Sequence, residues 1–199
     1  MTNSFSFNFE SRLANRVILV AGATGGLGSA ATALLSRDGA TVVGGYRGDR
    51  QRAVELQRFI KDRYDKQLHL VEGDVSDANV RQSYLSTADS VGDGLYGLVC
   101  FTGDPARVKF DEVTDSQMQE SVQKNYIAPV LLARDAAALM MKRGIEGSVV
   151  LISTMQAVAP FDSSINYAGP KTALIQAGRI MAKQWGGPGG VREIGRAHV

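Results

Sequence analysis

Val17-Ile18-Leu19-Val20-Ala21-Gly22-Ala23-Thr24-Gly25-Gly26-Leu27-Gly28 is the stretch that decides the fold. The run from Val17 to Val20 has no polar alternation, which suits a strand buried on both faces. Glycines interrupt it at once. A helical pattern follows from about Leu27 to Arg37, with Ala30, Ala31, Leu34 and Leu35 apolar, and Asp38-Gly39 ends it. A strand, a glycine turn and a helix in that order place backbone N–H groups at a helix N-terminus, where an anion binds well.

The same alternation continues outward. Thr41–Tyr46 reads as a second strand and Arg50–Tyr64 as a helix with Ala53, Leu56, Phe59 and Ile60 on one side. Leu68–Glu72 is a third strand, closed by Gly73-Asp74-Val75, and a polar helix spans about Ala78–Ser90. Leu95–Phe101 is a fourth strand, Val113–Arg143 a long helical stretch, Ser148–Ser153 a fifth strand and Ser164–Trp185 a last helix. Strands alternating with helices predict an α/β, doubly wound Rossmann-type parallel sheet with helices on both faces. Right-handed crossovers predict the order 3-2-1-4-5, with a ligand crevice beyond the strand ends at the switch point. No repeat, linker or low-complexity block divides residues 1–192, which read as one domain.

Size and composition bound the function. The chain has 199 residues, 44% hydrophobic and 21% charged, enough for a sizeable core. A net charge of +2 gives no ground for a nucleic-acid or membrane partner. The single cysteine, Cys100, rules out an internal disulfide and fits a reducing compartment; its apolar neighbours predict a buried, inert thiol. No run nears the ~18 apolar residues that span a bilayer. The N-terminus has no basic region and apolar core, so no secretory signal is read; Phe5, Phe7 and Phe9 alternate as in a short extended arm. A cytoplasmic protein acting on a small molecule, with no metal, is expected.

Gly22, Gly25, Gly26 and Gly28 form a candidate pyrophosphate cradle, with Thr24 able to add a hydroxyl and Leu27 inside the turn. The spacing satisfies both G-x-x-x-G-x-G and G-x-x-G-x-x-G. Asp74 and Val75, at the end of the third strand, suit an adenine amino group and ring face; Asp77 suits a helix cap. Cofactor choice falls to the end of the second strand, where a carboxylate would hold a ribose 2′-hydroxyl and repel a 2′-phosphate. There the chain has Tyr46-Arg47-Gly48, with Arg50 and Arg52 beyond, so NADP(H) is expected over NAD(H). Asp49 is the alternative, as a displaced acid.

Tyr167 and Lys171 stand four apart on a predicted helix, hence on one face. A phenol ordinarily titrates near ~10. A close ammonium lowers that value and lets the pair act as general acid or base.

With these residues in place the chain resembles the short-chain dehydrogenase/reductase family from about residue 10 to 192, its ketoacyl-carrier-protein-reductase-like form most nearly. The matching residues are Gly22 to Gly28, Asp74-Val75, Asn125 in Lys124-Asn125-Tyr126, Ile152-Ser153-Thr154, and Tyr167 with Lys171. The thirteen-residue step from Thr154 to Tyr167 suits the shorter reductases and settles the glycine spacing. The resemblance implies that Tyr167 exchanges a proton with the substrate oxygen. It also implies that Lys171 lowers the tyrosine's pKa and holds the nicotinamide ribose, that Thr154 (or Ser153, one register away) bonds the substrate carbonyl, and that Asn125 holds a relay water. It further implies a homo-oligomer, dimer or tetramer, for which Ile127, Val130, Leu131, Leu132, Ala136, Leu139 and Met140 form an apolar set that equally fits a core face.

Three departures stand out. The family's Asn-Asn-Ala-Gly is Cys100-Phe101-Thr102-Gly103 here, with Gly103 retained for the cofactor. Threonine replaces the usual serine at 154. Pro170 precedes Lys171, which demands that the helix begin close by. At the far end, Gly190-Val191-Arg192 opens the family's sixth strand, but residues 193–199 resemble an in-frame sequencing adapter. A non-native tail is therefore expected, with later strands missing and the fifth strand left as an exposed apolar edge. The competing functional reading is a non-catalytic dinucleotide-binding protein, a sensor or scaffold, or an inactive fragment.

Overall fold

The computed structural model describes residues 13–105, 107–187 and 190–198, with residues 193–198 described by backbone alone. The phenylalanines at 5, 7 and 9 lie outside the described residues. Six strands, β1 (Val17–Ala21), β2 (Thr41–Tyr46), β3 (Leu68–Glu72), β4 (Leu95–Cys100), β5 (Ser148–Thr154) and β6 (Arg192–His198), form one sheet in the order β3-β2-β1-β4-β5-β6. Every pairing is parallel. The helices are α1 (Gly26–Arg37), α2 (Arg50–Tyr64), α3 (Ala78–Ser90), α4 (Asp115–Val122), α5 (Ala128–Lys142) and α6 (Ile165–Trp185). β1 is central and wholly buried, as its unbroken apolar run requires.

β5 is not an edge. Residues Arg192–His198 pair with it from Ser148↔Arg192 to Thr154↔His198. Strand pairing uses main-chain N–H and C=O groups, so an extended segment of almost any composition can satisfy an open parallel edge. The expected order 3-2-1-4-5 is thus present and extended by one strand.

Burial in two helices follows the core. In α1 the buried positions are Gly28, Thr32 and Ser36, while Leu34 is 49% exposed. Small residues at i, i+4, i+8 bring the helix close to the sheet, which the larger leucines could not do. In α5, Leu132, Ala136 and Met140 are fully buried in the domain's own core, and Val130 and Leu139 pack against it. Most of the set suggested for subunit contact therefore serves the core, with Ile127 left partly exposed.

Among the described residues no helix is long and apolar enough to cross a membrane.

Candidate active site

The C-terminal ends of β1, β2, β3 and β4 open into a cavity of about 240 Å³, lined among others by Gly22, Thr24, Gly25, Tyr46, Arg47, Asp74, Val75 and Gly103. These are eight of the residues expected to hold a cofactor. Gly22 has φ +83°, and a Cβ on Gly28 would lie 2.0 Å from the Gly22 carbonyl oxygen, so both glycines are required by the turn. A Cβ on Gly26 would meet nothing within 4 Å. Leu27 is 46% exposed and does not line the cavity.

The N-terminus of α1 carries no side-chain cap and no acid in its first turn. By contrast Asp49 accepts from the Arg52 N–H to cap α2, Asp77 accepts from the Asn79 N–H to cap α3, and Thr114 with Gln117 makes a capping box on α4. The N–H groups of α1 are therefore left for an anion. Asp49, the alternative acid, has its Oδ1 employed as the α2 cap.

Arg47 and Asp74, read separately from sequence, are partners: Arg47 Nη1 donates to Asp74 Oδ2 at 2.7 Å. Burial works to raise the Asp74 carboxyl, but the Ser76 N–H and Arg47 outweigh it and hold the group below its ordinary value. The pair fixes both side chains at the cavity rim while leaving the other Arg47 N–H groups for a ligand. Sequence reading passed over Ser76, whose hydroxyl is buried without a partner beside this cavity, and Lys124, which lines the opposite wall and pairs with Glu120 and Asp104. An unpaired buried hydroxyl has no local sequence signature.

Gly103 joins this cavity to the candidate catalytic group. Its φ is +151°, and a Cβ there would lie 2.5 Å from Asn125 Oδ1 and 3.1 Å from Lys171 Nζ. The turn around it is held in ways the altered Cys100-Phe101-Thr102 sequence did not reveal. The Cys100 thiol and Thr102 hydroxyl hydrogen-bond at 3.0 Å, and the Phe101 N–H donates to Ala21. Burial pushes the Cys100 thiol up, consistent with an inert group.

Asn125 sits fully buried in a π-helical turn, Gln123–Ile127, inserted between α4 and α5. Such turns are frequent at functional sites because they re-aim a side chain without ending the helix. Its Oδ1 accepts from the Asp104 N–H, and its Nδ2 donates to the Asp104 carbonyl and to Ser121 Oγ. With both Nδ2 protons used, the side chain positions the Gly103–Asp104 turn. Ser121 in turn donates to the Asn166 carbonyl. That carbonyl lies four residues before Pro170, which has no N–H to offer it. Pro170 therefore lies inside α6 without orphaning the carbonyl it frees. The helix begins five residues earlier, and a serine on α4 supplies the missing donor.

Ser153 and Thr154 separate by strand alternation. The Ser153 hydroxyl donates to the Lys171 carbonyl at 2.8 Å, whereas the Thr154 hydroxyl accepts from the Gln156 N–H and stands near enough to Tyr167 to act on its pKa. Lys171 is 3% exposed and donates to the carbonyls of Thr102 and Ile152 at 3.2 and 2.9 Å. Burial lowers its pKa. Burial raises that of Tyr167, against a smaller pull downward from the nearby Thr154 hydroxyl. Lys171 is held by the strand ends in this structure. Its stem runs to the ends of β4 and β5, where two carbonyls take the ammonium.

A family model described as short chain dehydrogenase matches residues 16–194. The chain belongs to the short-chain dehydrogenase family. Relatives of this short-chain dehydrogenase include the uncharacterised oxidoreductase YghA of Escherichia coli (strain K12), 28% identical over 88% of this chain and 59% of its own. L-xylulose reductase of Caenorhabditis elegans is 26% identical over 85% of this chain and 65% of its own. The chain thus spans about three fifths of the length of these curated relatives. A provisionally assigned betaketoacyl-ACP reductase structure superposes with TM-score 0.81 at 26% identity, covering 92% of this chain and 73% of that one. Levodione reductase superposes at 0.87 with 20% identity, covering 94% and 72%, and shows the shared fold.

Proposed function

We propose that the chain carries the dinucleotide-binding and proton-transfer groups of an NADP(H)-dependent oxidoreductase that interconverts a small-molecule carbonyl and its alcohol. The observation that carries this reading is the placing of the Thr154 hydroxyl beside the Tyr167 phenol at the end of β5, on the same sheet end as the uncapped α1 N-terminus and joined to it through Gly103.

The residues fit the dinucleotide. The glycine turn and free α1 N–H groups suit a pyrophosphate. Val75 and the unpartnered Ser76 hydroxyl suit the adenosine, and the third N–H of Lys171 suits the nicotinamide ribose. Bound NADPH supplies hydride to the carbonyl carbon. Thr154 orients the carbonyl oxygen, and Tyr167 O–H donates the proton that completes the alcohol. The test is direct. The purified chain is titrated with NADPH, and NADPH consumption is followed with a panel of aldehydes and ketones. The absence of both binding and consumption would refute the reading; binding without consumption favours a dinucleotide sensor.

Cofactor choice rests on Arg47 and on the employment of Asp49 as a cap. Arg47→Ala is expected to weaken NADPH binding about ten- to a hundredfold, as loss of a charge-assisted pair implies, with NADH affinity little changed. Equal losses for both cofactors would remove the 2′-phosphate assignment.

Tyr167 also sets the pH response. Its pKa is raised, so the proton-donating form persists through neutral pH and is lost only as pH rises through that value. Carbonyl reduction is expected to be flat across neutrality. Alcohol oxidation, which needs the phenolate, is expected to climb about tenfold per pH unit into the alkaline range. An oxidation profile already level at neutral pH would contradict this.

A further inference from the structure

We infer that the site, if it is the carbonyl reductase proposed above, takes substrates with an uncharged, apolar body rather than polyol or anionic carbonyl compounds. The two most exposed large apolar side chains among the described residues are Phe110, 77% exposed, and Val158, 73%. They lie on the two loops that leave the C-terminal ends of β4 and β5, the same ends that carry Gly103 and Thr154. Phe161 and Ile165, 49% and 38% exposed, follow on the second loop and the start of α6. The β5 loop is tied to the catalytic helix. Its Ala157 carbonyl accepts from the Thr172 hydroxyl, its Phe161 carbonyl accepts from Ser164, and the Tyr167 N–H donates to the Ser164 carbonyl. A parallel bridge between Val108 and Ser164 joins the β4 loop to it.

Between Glu146 and Lys171 the sole charged residue is Asp162. Met155-Gln156-Ala157-Val158-Ala159-Pro160-Phe161, the segment directly beyond Thr154, therefore offers a ligand no cation for a carboxylate and few donors for a polyol. The hydroxyls of Thr154 and Tyr167 remain as the polar pair next to an uncharged, largely apolar segment. Apolar pockets with a few placed polar groups bind apolar ligands with a polar handle. The β4 loop does carry Arg107, Lys109, Asp111 and Glu112, but their signs cancel. Exposed apolar side chains on two bridged loops that leave the sheet end carrying the reactive pair mark a binding surface.

The test uses methyl ketones of increasing chain length, a small ketose and a 2-keto acid, each with NADPH. Binding of the same ketones to the Tyr167→Phe protein is measured alongside, so the readout survives loss of turnover. For the ketones, kcat/KM and affinity are expected to rise about two- to fourfold per added methylene and to exceed those for the ketose and keto acid by at least about tenfold. Phe161→Ser and Val158→Ser are expected to flatten that slope and leave the NADPH Kd unchanged. A preference for ketose or keto acid overturns the inference, as does a slope unaltered in both variants because the apolar faces contact a second copy instead. Failure to bind NADPH would refute the dehydrogenase reading itself, and so is distinguishable from either result.

Discussion

Tyr167→Phe is expected to lower turnover about 10²- to 10⁴-fold, the range for losing a positioned general acid, while NADPH affinity stays within about twofold. The substitution removes one oxygen. The ring keeps its half-buried place on α6, and the neighbouring Thr154 hydroxyl retains its bond from the Gln156 N–H. Stability should therefore change by less than about 1 kcal/mol, so a fall in rate cannot be assigned to unfolding. Rate, NADPH titration and melting temperature are measured on one preparation. Turnover preserved in the Phe variant would move the proton donor elsewhere. No turnover in either protein, with NADPH bound by both, would bring forward the sensor reading.

The distinction between what the sequence disclosed and what it hid is one of range. β2, α2, β3 and α3 begin and end where periodicity and turn residues place them, because each is set by neighbours a few residues apart. The glycine turn was legible for the same reason, whereas the thirteen-residue step from Thr154 to Tyr167 took its meaning from the family resemblance. The hidden contacts are long-range. Arg47 meets Asp74 across 27 residues, Ser121 reaches Asn166 across 45, and Lys171 finds the Thr102 carbonyl across 69. No local pattern encodes them. They changed the reading of each residue concerned. Arg47 became half of a pair, Pro170 became tolerable inside a helix, and Lys171 became a strut between strand ends. The π turn at Asn125 was likewise invisible, since its residues continue a helical pattern and only the third-dimensional pull of Asp104 shows why the turn widens.

Gly28→Ala and Gly26→Ala separate fold from ligand in the cradle. Both change hydrogen to methyl in the first turn of one helix, where alanine is intrinsically better by about 1 kcal/mol. At Gly28 the new Cβ would lie 2.0 Å from the Gly22 oxygen, 2.9 Å from the Gly22 carbonyl carbon and 3.3 Å from the Ala23 carbonyl carbon. All three are backbone, so no side chain can swing aside, and the strand-to-helix turn must open. Overpacking of this kind costs about 1–3 kcal/mol or more. In a chain of this size that is a fall of about 2–4 °C in Tm for each kcal/mol. Because α1 then moves off the end of β1, its N–H groups leave the cavity, and NADPH affinity should fall more than about tenfold. At Gly26 the Cβ meets nothing, so Tm should hold or rise slightly. Any loss of NADPH affinity there reports close approach of the ligand to the backbone, since the protein itself has no clash to relieve. Thermal melts and NADPH titrations on the two variants decide the matter. Equal melting temperatures would show that the turn relaxes around Gly28, and unaltered NADPH affinity in both would move the pyrophosphate away from α1.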